Sequence, residues 1–530
     1  MDKQEGKRLV GGAYAKYVLL VLVLVYICNF VDRLIISILA EDIKADLGVS
    51  DSQLGFIAGT AFAVFYALFG LPLGRLADIW IRKRLIAIGL VVWSSLTVLS
   101  GTANNFLQLA LYRCGVGVGE ASASPAAFSL LADYFPPSRR ATVLAVYSSG
   151  AYVGMGLGIF LGGWVLDGWK ALYPDPASAP LGLSGWQAAF IIVGSPGLLL
   201  ALWVATLREP IRGLTENIFS EPHPHPFRET FAELIAIIPP FSVASLYSRR
   251  ASRAQVSLNL GAGLLLVAMM VLLSYLTGNI PQWVVFGVGI YAAISWVQNL
   301  SLRDPPAFAM MFRCKAFLFT IFGFCSINFV GYGLAVWIPS FFIRVHGMEV
   351  GQVGMIVGLS VVIAGGISIN LGGYLSDLWK KHNPRGRLYF GLITIALTIP
   401  ACLTLFSTIN TQLALVMNFL VAGLTAMWVG PATSTIMDLV LPRMRAITGA
   451  FYFLLNVLLG LAIGPYLIGL TSDLMVAAGH DPAQSLQVAL VGSVLTLLIP
   501  ILLLCLALRH LEPDEKSRIA RAKQAGETGL

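Results

Sequence analysis

Runs of about 20 apolar residues, long enough for a helix to cross about 30 Å of hydrocarbon, recur along this chain from end to end. No other feature restricts its fold as strongly. Inside such a run a helix satisfies its own backbone N–H and C=O groups without help from water. The runs place spans near 17–39, 53–73, 85–103, 106–132, 141–166, 186–206, 257–277, 281–299, 316–342, 353–375, 388–407, 412–436, 446–470 and 486–508. Fourteen spans define an all-α polytopic membrane protein. Composition agrees: 12% of residues are charged and 57% hydrophobic, whereas soluble domains carry about 25% charge.

A net charge of +8 raises the question of a nucleic-acid partner, and its placement answers it. With the N-terminus cytoplasmic, Lys44, Lys170 and Arg344 lie on the far side, and Arg33, Arg75 and Arg113 are counted apart. The other 29 of the 35 Lys and Arg fall in cytoplasmic loops and tails, Arg82-Lys83-Arg84, Arg139-Arg140, Arg249-Arg250 and Lys380-Lys381 among them. This asymmetry fixes orientation by the positive-inside rule and leaves no basic surplus for nucleic acid. The expectation is an integral protein of the plasma (inner) membrane with both termini cytoplasmic. The opening MDKQEGKRLVGGAYAK runs into a full-length span without a cleavage signal, which reads as a tail rather than a signal peptide. Six scattered cysteines without CxxC spacing read as small core residues.

The chain repeats itself. NFVDR at 29–33 is echoed by NFVGY at 328–332, and 49 residues beyond each Asn stands Asp78 in GRLADIW or Asp377 in GYLSDLW. DYFPPSRRAT at 133–142 aligns without gaps to DLVLPRMRAI at 438–447. Each half therefore holds six spans, which assigns 1–206 to a first bundle and 300–510 to a second. Between them lie a linker at 207–256, with Pro222, Pro224 and Pro226 set between His223 and His225 and room for one interfacial helix, and an inserted pair at 257–299. The tail is 511–530. An even insertion preserves sidedness, whether the pair crosses fully or forms a re-entrant hairpin.

The repeat is an internal control on one anomaly. Asp32-Arg33 sits inside an apolar run where the second half has Gly331-Tyr332, so the fold tolerates neutral residues there. An ionised residue at the bilayer centre costs roughly 2.5–3.5 kcal/mol on insertion scales and usually faces a partner or a watery cavity. A structural salt bridge is the alternative reading. Arg113 and Glu120, seven residues apart in LYRCGVGVGEASASP, share a helix face. Asp32 and Glu120 are the candidate proton carriers. Arg33 and Arg113, with Asn29 a turn away, are candidates for an acidic headgroup, which a guanidinium fork holds bidentately.

Other residues are read as machinery. Gly150, Gly154, Gly158 and Gly162 strip side chains from one face at four-residue spacing, for close helix crossing. Gly74, Asp78, Arg82, Arg84, Asp133, Arg140 and Asp377 form candidate latches at helix ends. Phe324, Asn328, Phe329, Tyr332, Trp337, Met427 and Trp428, in the neutral half, are candidates for the wall of an apolar slot, with core packing the alternative for each. The six His residues fall in loops or at span ends, which argues against a metal or haem enzyme at membrane depth. No GxxxxGK[ST] loop is present, so an intrinsic ATP-driven pump is excluded. No cofactor is expected beyond a proton gradient as energy source.

These motifs resemble the major facilitator superfamily over nearly the whole chain: GRLADIWIRKR and GGYLSDLWKK as its loop motifs, Arg113 with Gly117 in the fourth span, and the fifth-span glycines. NFVDR followed by DLGVSDSQLG, and RCGVGVGEAS followed by LLADYF, look like the Spinster group of lysolipid and sphingolipid transporters. That resemblance implies two six-helix bundles, alternating access, proton coupling through Asp32 and Glu120, and an amphiphilic substrate such as sphingosine 1-phosphate or a lysophospholipid. It implies a monomer whose partners are the lipid substrate, protons and membrane lipids. The fifth span lacks the Pro that follows its Gly in proton antiporters, so exchange and facilitated flow both stay open. Organic-anion/proton symporters also carry an Asp-Arg pair in their first span, with a sugar acid or similar anion as cargo. A receptor or sensor on the same fold is the alternative of a different class.

Overall fold

The computed structural model describes residues 10–213, 215 and 224–527; the first nine residues, Pro222 and His223 lie outside that part. Among the described residues no strand occurs. The helices are α1 Ala13–Leu47, α2 Asp51–Ile79, α3 Arg82–Ser100, α4 Phe106–Glu120, α5 Ala123–Tyr134, α6 Pro137–Leu172, α7 Gly185–Ala205, α8 Pro226–Ile235 and α9 Phe241–Ser248. They continue as α10 Arg253–Thr277, α11 Ile280–Arg303, α12 Pro305–Phe312, α13 Lys315–His346, α14 Val350–His382, α15 Gly386–Ser407, α16 Thr411–Asp438, α17 Pro442–Ala477, α18 Pro482–Lys516 and α19 Arg518–Gln524.

Thirteen of these are long and apolar enough to cross a membrane. The fourth span of the sequence reading is divided into α4 and α5 at Ala121–Ser122, where the Ser122 hydroxyl donates to the Gly119 carbonyl at 2.8 Å. Glycine upstream and Pro125 downstream weaken the helix there. The inserted α10 and α11 have 25 and 24 residues, enough for two full crossings. The architecture is thus all-helical, with six spans in each half and an inserted pair between. The linker holds two short helices, α8 and α9, where the sequence had left room for one.

The repeat shows in local geometry. Gly48 ends α1 with φ +64° and Gly347 ends α13 with φ +62°, a left-handed turn that costs glycine nothing. The two sit 299 residues apart, the spacing of NFVDR and NFVGY.

The chain divides into two compact units. One takes residues up to Val49, Ala61–Leu234 and Glu349–Val362; the other takes Ser50–Thr60, Ile235–Met348 and the chain from Ile363 onward. Each unit therefore contains one short segment from the opposite half of the sequence. In the first unit α6 lies along α1 at backbone contact: a Cβ at Gly154 would sit 2.5 Å from the Ile27 carbonyl and one at Gly158 2.8 Å from that of Val31. Gly150 faces Val23, and Gly162 faces Ile35 and Ile38. This contact fixes the depth of α1, and with it the Asp-Arg pair.

Candidate functional site: a buried charge cluster in the first half

All four ionisable side chains singled out in the sequence meet in the first unit, and all are sealed: Asp32, Arg113 and Glu120 are 0% exposed and Arg33 3%. Arg33 donates from Nη2 and Nε to one oxygen of Glu120, at 2.7 and 3.3 Å, and from Nη2 to the Asn29 amide oxygen at 3.2 Å. Its guanidinium carbon lies 4.5, 4.6 and 4.9 Å from the ring centres of Phe30, Phe62 and Tyr66. Cation–ring attraction of this kind strengthens when water is excluded.

Arg113 does something different. Its two amino groups donate to the backbone carbonyls of Asp32 and Arg33, at 2.9 and 3.2 Å, tying α4 to the turn of α1 that carries the pair. In this conformation neither guanidinium is offered to an outside anion: Arg33 is held by Glu120 and Asn29, and Arg113 by backbone. The sequence reading offered Arg33 or Arg113 as the candidate for an acidic headgroup. Sequence depth alone could not reveal that the seven-residue step from Arg113 to Glu120 sets the carboxylate against Arg33.

Asp32 points to a separate polar niche on α3. Trp93 and Thr97 flank its carboxyl, and Cys28 reaches it at 4.0 Å. Among the described residues, Oδ1 of Asp32, Nε1 of Trp93 and the hydroxyls of Ser94 and Thr97 lack a partner of hydrogen-bonding geometry, as does Oε1 of Glu120. Buried polar atoms left unmet are costly. Each acid thus keeps one oxygen on which a proton can sit. The sequence reading missed this niche and the three rings around Arg33. WSSLT at 93–97, a polar run inside an apolar span, was the available signal for the niche.

The latch residues fall into two parallel sets. Arg82, 1% exposed, pairs with Asp133 and with Glu209 at 2.8 Å; Gly213 donates its N–H to Asp133 at 2.9 Å. Arg140 binds the Ala132 carbonyl and Thr215, at 3.1 and 2.8 Å. Asp78 sits among Arg75, Arg82 and Arg212, a Cβ on Gly74 would lie 3.9 Å from the Pro125 ring, and Arg84 is exposed. In the second half Arg387 bridges Asp377 and Asp438, each at 2.6 Å. Arg82 with Asp133 and Arg387 with Asp438 share one repeat offset, 305 residues.

The candidate wall residues divide. Phe324 and Trp337 are fully buried; Phe324 stacks on Trp428 at 6.3 Å, and the Trp337 indole donates to the Pro465 carbonyl at 2.9 Å. Asn328 donates to the Phe324 carbonyl at 3.3 Å. These four pack the second half's interior, although Trp428 also borders a void of about 10 Å³ with Gly331 and Thr425. Phe329, Tyr332 and Met427 are half-buried. Met427 lines an apolar cleft of about 170 Å³ between α14 and α16, with Ile367, Phe419 and Leu424.

The duplicated six-span helical fold around this buried charge cluster resembles that of known proteins. Residues 22–235 match the Major Facilitator Superfamily. An efflux pump of that superfamily from Mycolicibacterium smegmatis is 27% identical over 86% of this chain and 83% of its own length. Protein spinster homolog 1 of Xenopus tropicalis is 25% identical over 91% and 78%. The crystal structure of a bacterial homolog of the human lysosomal transporter Spinster, inward-facing and occupied, superposes with TM-score 0.70 at 26% identity, covering 95% of this chain and 99% of that one. Over nearly its whole length the chain is similar to Spinster-type transporters of the major facilitator superfamily.

Proposed function

We propose that this transporter moves an amphiphilic anionic lipid, of the lysophospholipid or sphingosine 1-phosphate type, by alternating access coupled to protons. One observation carries the reading: Arg33 is held by Glu120 inside a dry aromatic box, at a site where the repeat has neutral residues. A proton arriving on Glu120 removes the charge that holds Arg33, and the freed fork can then take an acidic headgroup. Loss of that proton returns Glu120 to the fork and expels the anion. Arg stays charged throughout. Asp32, in its own niche, is the second proton carrier, and Arg113 positions the turn.

Flux of a lysolipid into proteoliposomes under an imposed pH gradient tests this. Arg33→Ala is expected to weaken transport of a phosphorylated ligand about tenfold more than that of its uncharged alcohol, since charge-assisted bonds contribute about 1.5–3 kcal/mol. Equal losses for both ligands make Arg33 structural. Uptake of a labelled sugar acid that added lysolipid leaves unaffected would transfer the assignment to organic anions.

A further inference from the structure

In the second unit the inserted pair is held from its α11 side. Trp296 stacks on Phe451 of α17 at 5.5 Å, and Trp283 meets Tyr466 of α17 edge-on at 5.5 Å. α10 lies against α11 and buries only Val256 and Asn259. Asn259 is the link in a chain of buried polar groups: the Ser242 and Tyr291 hydroxyls lie 2.9 Å apart, Tyr291 donates to the Asn259 side-chain oxygen at 2.6 Å, and the Asn259 amide donates to Gln298 at 2.6 Å and to Ser295 at 3.2 Å. Between apolar spans such bonds tie helices together. Here they join α10, α11 and the short α9 of the linker.

This chain of bonds fixes which face of α9 turns outward. Ser242 and Leu246, a turn apart, are fully buried, which leaves Phe241 and Tyr247 more than half exposed just before a span begins at Arg253. Aromatic side chains at that level suit the bilayer interface. α9 then closes in a corner where the Ala251 N–H donates to the Leu246 carbonyl at 3.0 Å, and this sets Arg250 in the left-handed region at φ +58°. Glycine enters that region freely and arginine at a cost. The ends of α1, α10 and α13 meet the same need with Gly48, Gly278 and Gly347. Strain kept at an exposed position points to a use for the side chain.

Arg250 does not stand alone. Arg249 and Arg253 lie within the same five residues, α11 ends on Arg303, and no acidic residue occurs between Glu233 and Asp304. Arg250, Arg253 and Arg303 are exposed, and among the described residues the side chains of Arg249, Arg250 and Arg253 have no hydrogen bond or ion pair. Guanidiniums gathered at one end of a helix hairpin, beside two outward aromatics, match the layering of a bilayer surface, with acidic headgroups outside and acyl chains within. We propose that the α9–α10 corner binds the acidic headgroups of bilayer phospholipids, with Phe241 and Tyr247 set into the interface, and that the Ser242–Tyr291–Asn259 chain passes this hold on to the inserted pair. It depends neither on the proposed cargo nor on a proton at Glu120.

The test is titration of the full-length protein in micelles with phosphatidylglycerol and, separately, with phosphatidylcholine, bound lipids being counted by native mass spectrometry. Wild type should bind phosphatidylglycerol the more tightly. Arg249→Gln, Arg250→Gln and Arg253→Gln together should weaken that binding about a hundredfold, at about fivefold per arginine, and Lys at the same three positions should keep it. Arg250→Gly alone should cost about fivefold in affinity and yet raise the melting temperature, because glycine relieves the corner. Arg33→Ala, in the buried cluster, should leave phosphatidylglycerol binding unchanged. Equal binding of the two lipids by wild type, unchanged affinity after the Gln replacements, a loss with Lys, a melting temperature lowered by Arg250→Gly, or a parallel loss in Arg33→Ala would overturn the proposal.

Discussion

The two halves of this chain share a fold and differ in what they bury. At positions 32 and 33 the first half holds an acid and a base, where the second has Gly331 and Tyr332. At the repeat offset of 305 residues, Arg113 and Glu120 correspond to Asn418 and Thr425. The Thr425 hydroxyl turns back onto its own helix, donating to the Val421 carbonyl at 2.8 Å, as threonine does in membrane helices. One bundle therefore keeps a closed circuit of charges that needs a partner bundle's worth of neutral equivalents to do without. Both fold. The difference teaches that the repeated fold accommodates neutral residues at the positions where its first half buries charge.

That contrast can be broken by moving residues across it. Importing the neutral pair, Asp32→Gly with Arg33→Tyr, is expected to lower lysolipid flux at least about a hundredfold, through lost headgroup contact and a Glu120 charge left buried without its partner. Proteoliposome flux normalised to folded protein measures this; near wild-type flux would equate the halves. Phe62→Leu keeps the circuit but removes one ring from the box around Arg33, and an about three- to thirtyfold weaker headgroup affinity is expected, from the 1–2 kcal/mol of a desolvated cation–ring contact. In the neutral half, Thr425→Val should change flux by less than about twofold, because the hydroxyl it removes is paired locally. A larger loss would give the second half a polar role.

The smallest effect concerns the helix ends around Arg443. Arg443 binds Asp304 at 2.7 Å and also Glu527, and its bonds hold both carboxyls below their usual range. A depressed carboxyl contributes stability above its unfolded pKa, near 4, and loses it as pH falls through the lower folded value. Arg443→Ala should therefore lower the melting temperature slightly at neutral pH, the Asp304 arm being worth at most about 1 kcal/mol at this exposure. The gap to wild type should close below about pH 4. A gap independent of pH would point to lost packing instead.

How much of this was legible follows from what is local. Span count, the repeat and the glycine face depend on residues within one or two turns of each other, and the sequence displays them. The division of the fourth span at Ala121–Ser122 was also written locally, in GEASASP, but a hydrophobicity reading passes over it. Which side chains meet across helices is another matter. Seven-residue spacing placed Arg113 and Glu120 on one helix face, yet rotation about the helix axes set Arg33 against Glu120 and turned Arg113 to backbone carbonyls. Phe62 and Tyr66 look like any apolar-face aromatics until α2 is laid beside α1.

The central claim is that a proton on Glu120 lets an anion replace its carboxylate on Arg33. Titrating purified protein with a lysolipid in weakly buffered solution, while following proton uptake, measures that exchange directly. Wild type should take up about one proton per ligand bound at a pH where Glu120 starts ionised, and Glu120→Gln should bind with none. Binding without proton uptake in wild type, or equal uptake in both proteins, would contradict the account.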